Sequence, residues 1–197
     1  MIDGVTVTSV GHEGIHLRKA STYGVIRNST VRGTGTESKG YGEGIYVGSA
    51  KSNWSSVMGS SSTPDRSDYV LIENNVISST PAEGIDIKEG TTGGKVRGNV
   101  FTNAGYSGAN YADSWVDVKG NHYTLSGNSG SGTKLDAFQN HVQLTGWGRA
   151  NVFSANKVVS GVRGYTVNVA KGSTGTTVKC STLAKGAAGL SNIACTR

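Results

Sequence analysis

Short alternating runs of aliphatic and polar residues dominate the chain, separated by glycine, serine and asparagine. No stretch places apolar residues at 3.6-residue spacing, so the pattern predicts strands and turns and no helical bundle. One six-residue phrase recurs: acidic, small, aliphatic, variable, aliphatic, variable. Its clear copies begin Glu13-Gly14-Ile15-His16, Glu43-Gly44-Ile45-Tyr46, Glu83-Gly84-Ile85-Asp86, Ser114-Trp115-Val116-Asp117 and Asp136-Ala137-Phe138-Gln139. A degenerate sixth runs Arg163-Gly164-Tyr165-Thr166-Val167-Asn168. A second phrase, aliphatic and polar residues leading into asparagine, precedes most copies and ends at Ser29, Asn75, Asn99, Asn128 and Asn156.

Repeats recurring every 22 to 40 residues, each too small to bury its own apolar face, define a solenoid. The strands lie too close together for crossover helices, so the coil itself carries the chain from rung to rung, and its expected hand is right. The predicted fold is therefore all-β: a single-stranded right-handed parallel β-helix of about six rungs, forming one domain over 1–197. Residues 49–68 read as a protruding loop, Tyr106 to Asp113 as a shorter insertion, and 180–197 as a C-terminal cap. The strand-like start at Met1 shows no cap, which suggests preceding rungs or a covering chain. The aligned asparagines are expected to stack as a structural ladder in one turn.

Alternation within the six-residue phrase turns every second side chain outward. Two outward columns follow. The first is His16, Tyr46, Asp86, Asp117, Gln139 and Thr166; the second is Arg18, Gly48, Lys88, Lys119, His141 and Asn168. With rungs roughly 4.8 Å apart, Asp86 and Asp117 become neighbours. Two stacked carboxylates repel, which raises one pKa or calls for a cation between them. The plain alternative is a salt-bridged solvated face. The acidic column Glu13, Glu43, Glu83 and Asp136 sits where alternation would bury it, beside glycines that mark a corner. Trp54 and Tyr46 are candidates to stack on sugar rings.

Composition adds the partner. Thirty glycines, two prolines and 16% charged residues suit tight turns in a regular fold. A net charge of +6 favours an anionic polymer. The basic residues are scattered, with no run of the nucleic-acid-binding kind. No apolar run is long enough to span a membrane. Cys180 and Cys195 suggest a disulfide and an oxidising, secreted setting, against two free buried thiols. No signal peptide is visible in the chain.

The segments Glu43–Ser49, Pro64–Asp68, Asp86–Gly94, Asp113–Asn121 and Gly189–Cys195 together resemble secreted right-handed parallel β-helix proteins of the pectate-lyase-like superfamily. That resemblance implies action on polysaccharides, and the superfamily includes lyases, hydrolases, esterases and non-catalytic members. The polygalacturonase signature is absent. Glu83-Gly84-Ile85-Asp86-Ile87-Lys88 is similar in outline to a phrase of calcium-dependent lyases, whose Arg-His-Gly element has no counterpart here.

The leading expectation is a lyase that cleaves a uronate-containing polymer by β-elimination. Lys88 or Lys119 is the candidate base, and Asp86, Asp117 and His141 complete the catalytic set. Asp86, Asp117 and Glu83 are candidate Ca2+ ligands. Arg18, His16, Tyr46, Gln139 and Trp54 are candidates to hold the sugar. The alternatives are a non-catalytic carbohydrate-binding solenoid, a hydrolase using the paired aspartates, and a fragment of a larger enzyme. Oligomeric state is not legible.

Overall fold

A computed structural model describes all 197 residues. Each of the first six rungs contributes one strand to each of three parallel sheets and the last adds to two of them, giving seven, six and seven strands. Sheet A begins at Ile2–Asp3 and passes through Val25–Arg27 and Leu71–Glu73 to Thr177–Val178. Sheet B runs from Thr6–Thr8 to Lys157–Ser160, and sheet C from Ile15–Leu17 to Gly189–Ser191. The second repeated phrase spans the sheet A strand and the turn into sheet B; the first phrase is the sheet C strand.

The turn from A to B carries the asparagine ladder. Asn99 Oδ1 accepts from both the backbone N–H and the side-chain amide of Asn75, each at 3.0 Å, while Asn99 Nδ2 donates to Ile72 O and to Asn128 Oδ1. Asn128 and Asn156 repeat the pattern. Ser29 opens the ladder by donating its N–H to Asn75 Oδ1. All five residues are buried, and the chain solves the problem of buried turn amides with one side chain per rung.

The interior is a column of aliphatic and aromatic side chains: Ile26, Ile72, Val96, Leu125 and Phe153 from sheet A, Ile77 and Phe101 from sheet B, and two per rung from most of sheet C. Burying one such sheet C pair stabilises a rung by about 3–6 kcal/mol. The small residue of the first phrase has a packing reason. A Cβ on Gly84 would lie 2.8 Å from the Phe101 ring and 2.9 Å from Trp115 O. One rung on, Trp115 replaces glycine and its ring stacks on Phe101 at 5.7 Å.

Three features flank the outer face of sheet C. On its outgoing edge lies the loop 49–68, which contains the short helix Trp54–Met58. On its incoming edge the turns Lys39–Tyr41 and Ala109–Tyr111 pack together. Cys180 and Cys195 form a disulfide that closes the last segment. Part of that segment, Gly189–Ser191, is a strand of sheet C rather than a separate cap. No helix is long and apolar enough to cross a membrane.

Candidate functional site

The strand register of sheet C puts His16, Tyr46, Asp86, Asp117 and Gln139 side by side on consecutive rungs. The next position belongs to Asn168, because Gln139 pairs with Asn168 and Phe138 with Val167. Thr166 is buried and takes no place in the column. Alignment of the sixth copy on its glycine puts it two residues out of register. In the second column, Gly48, Lys88, Lys119 and His141 succeed one another, and Ala170 follows.

The middle of this face is a chain of alternating charge. Lys88 Nζ lies 2.6 Å from Asp86 Oδ2, and Lys119 Nζ lies 2.9 Å from Asp86 Oδ1. Lys119 also contacts Asp117, whose other oxygen meets His141 Nδ1 at 2.8 Å. Burial opposes ionisation of Asp117, yet Lys119 and then His141 hold its carboxyl well below the ordinary range. Burial likewise opposes the Lys119 charge, and Asp117 with Asp86 and Glu83 holds that ammonium well above its ordinary value. The charge of Asp117 raises His141.

These facts revise two roles. The cation between the stacked aspartates is Lys119 itself, so a Ca2+ ion shared by Asp86, Asp117 and Glu83 does not fit. Lys119, fixed as an ammonium, is also not a base. The carboxylates of Asp86 and Asp117 are 2% and 5% exposed. They are sealed from a glycosidic oxygen, which removes the paired-aspartate hydrolase arrangement. Glu43, Glu83 and Asp86 do bring carboxylate oxygens within 4.8 Å of one another. Both oxygens of Asp86 already face ammonium groups, however. Burial, followed by the charge of Asp86, pushes Glu43 up to about 7 and Glu83 well above its ordinary value. Burial and the neighbouring carboxylate charge thus oppose ionisation of Glu43 and Glu83.

At the N-terminal end of the same face the floor opens into a groove of about 560 Å3, bounded by Tyr41 and Asn110 on one side and Ser52, Asn53 and Ser56 on the other. His16, Arg18, Tyr46 and Lys88 converge on it. The His16 and Tyr46 rings meet edge to face at 4.6 Å, and Lys88 Nζ lies 4.9 Å over the Tyr46 ring. His16 Nε2 contacts Gly48 O at 2.8 Å. A carbonyl only accepts, so Nε2 is the donor, and the tautomer this contact selects has its lone pair on Nδ1. Burial, then the charge of Asp86, holds the Tyr46 phenol above its ordinary range.

Trp54 is not part of this surface. It is 3% exposed, donates Nε1–H to Ser49 O at 2.8 Å, and packs the wall loop against Gly90. Gln139 stands away from the groove with its amide donated to Asp113 at 2.7 Å and to Asp136 at 3.0 Å. Tyr41 and Asn110 are groove residues that sequence reasoning missed, whereas Glu43 of the acidic column does lie at the groove. Only the glycine-flanked aromatic of Gly40-Tyr41-Gly42 offered a signal.

A family model described as right handed beta helix region matches residues 1–146. Among solved structures, an alginate lyase from Paenibacillus sp. str. FPU-7 shares 37% sequence identity, with a TM-score of 0.88. The match covers 100% of this chain and 65% of that one, so the chain spans about two-thirds of the length of that lyase. No curated protein matches the chain. Three parallel sheets, a continuous interior column and the family match agree: the chain belongs to the right-handed β-helix family.

Proposed function

We propose that this chain is a polysaccharide lyase that cleaves a uronate-containing polymer, alginate first among them, in the groove at the N-terminal end of sheet C. The observation that carries the reading is the convergence of His16, Tyr46, Lys88 and Arg18 on one groove floor. The similarity to an alginate lyase at 37% identity supports it. The disulfide agrees with an extracellular setting.

β-Elimination must stabilise charge on the C6 carboxylate, remove the C5 proton and protonate the leaving O4. Lys88 and Arg18 are the cations at the groove and bind the carboxylate. The lone pair on His16 Nδ1 takes the C5 proton, with the ring held by Gly48 O. The Tyr46 hydroxyl, kept protonated by its burial, donates to O4. Asp86, Asp117 and Lys119 act beneath this layer: they fix Lys88 and neutralise one another.

Alginate and polygalacturonate incubated with the protein should gain the ultraviolet absorbance of an unsaturated uronate end. His16→Ala and Tyr46→Phe should each lower kcat by about 10²–10⁴-fold with the fold intact. Retained turnover in both variants would remove these roles. Binding without any unsaturated product would leave a carbohydrate-binding solenoid.

A further inference from the structure

Sheet B has one aligned position in the left-handed backbone region on six successive rungs, at or near the end of the strand: Ser9, Gly33, Ser79, Asn103, Gly132 and Gly161. At the last two rungs both residues are glycine. With no side chains there, the corner becomes a hollow of about 580 Å3. Lys134 and Arg163 stand on its rim with Tyr106 and Asn103, and no acidic residue lines it.

No carboxylate neutralises the two cations at this hollow. Arg27, Arg66 and Arg97 are each paired with a carboxylate. Neither Lys134 nor Arg163 forms an ion pair. Lys134 Nζ donates once, to Ser107 O at 3.0 Å, and keeps two N–H groups. The acids of the same edge, Asp113 and Asp136, are engaged by Gln139. Tyr106 is 46% exposed and offers a ring against which the C–H face of a sugar packs. The insertion 106–113 is a wall common to both depressions: Asn110 lines the groove and Tyr106 the hollow.

We propose that this hollow is a second binding site, outside the groove, for a carboxylated sugar unit of an anionic polysaccharide. Arg163 and Lys134 take the carboxylate, a guanidinium being suited to two parallel hydrogen bonds. The glycine pair leaves room for the ring. The choice of polyuronate as ligand rests on the function proposed above; the binding itself does not require turnover.

The test compares binding of long-chain alginate, followed by affinity electrophoresis, with cleavage of an alginate trimer too short to reach both sites. Lys134→Ala/Arg163→Ala should weaken polymer binding about tenfold and leave trimer kcat within twofold. Lys171→Ala/Lys185→Ala, which removes the same charge from exposed positions elsewhere, should weaken it far less. Equal losses in the two double variants, or wild-type binding by the first, would overturn the proposal. Absence of turnover with the binding difference retained would sink the lyase reading and leave this site standing.

Discussion

The ammonium of Lys119 stands between two carboxylates on adjacent rungs, and both are almost wholly buried. Taking it away leaves Asp86 and Asp117 facing each other out of water. Lys119→Ala should therefore destabilise the fold by about 3–5 kcal/mol, the usual cost of stripping one partner from a buried charge cluster. A urea midpoint measures this, and a loss below about 1 kcal/mol would show that the pair tolerates exposure.

The acidic corner sets the pH response. Glu43 has its folded value raised to about 7 from 4.5. Between those values the folded state binds more protons than the unfolded one, so stability falls as pH rises through that window. Glu83 acts in the same direction. His141, raised by Asp117, adds stability that is present below its unfolded value and lost as pH rises through its folded one. Asp117, lowered, adds stability that disappears only as pH falls. The fold is therefore expected to be most stable on the acid side of neutrality. Glu43→Gln should remove on the order of 3 kcal/mol of the loss between about pH 5 and pH 7.5. Parallel curves for both proteins would contradict this.

Among the structural elements, the asparagine ladder is the sharpest case. Asn99→Ala would take the acceptor from the Asn75 backbone N–H and from one Asn75 amide hydrogen, and the side-chain donor from Ile72 O, all inside the turn. The expected cost is about 2–4 kcal/mol, read from thermal or urea unfolding. The same change at Asn53, which is exposed and makes no side-chain capping bond, should cost under about 1 kcal/mol.

Much of this level was legible in advance. Strict period-2 alternation fixes which side of a strand faces inward, so Ile85 and Ile87 were placed in the core and Asp86 and Lys88 outside it without coordinates. Rung six failed for a reason of the same kind. Its glycine imitates Gly14, Gly44 and Gly84, but the true counterpart of Asp136-Ala137 is Tyr165-Thr166, and pairing alone decides between them. Trp54 failed differently: whether a loop aromatic points in or out depends on how the loop folds on itself, which no periodicity encodes.

For the whole molecule, the net charge is +6 and its two signs are unevenly buried. Eight of the thirteen acidic residues are buried, among them Asp65, Asp68, Glu83 and Asp136, and none of the lysines or arginines is. The charged groups in contact with solvent are therefore mostly cations. Association with a polyanion should be steered by this field and screened by salt. Raising ionic strength from about 20 to about 200 mM should lower kcat/KM on alginate by about tenfold with kcat little changed. A salt-independent kcat/KM would contradict it. The candidate site was partly legible at this scale. The columns named His16, Arg18, Tyr46 and Lys88, but only the placement of the flanking loops shows that the open groove lies over these residues and not over the paired aspartates.

The most direct test is the mass of the oligosaccharides released from alginate, with and without a chelator of divalent cations. Elimination on the His16–Tyr46 pair, with Lys88 and Arg18 supplying the positive charge, should give products lighter by one water than hydrolysis products, in equal amounts under both conditions. Products carrying the added water, or release that stops with the chelator, would contradict it.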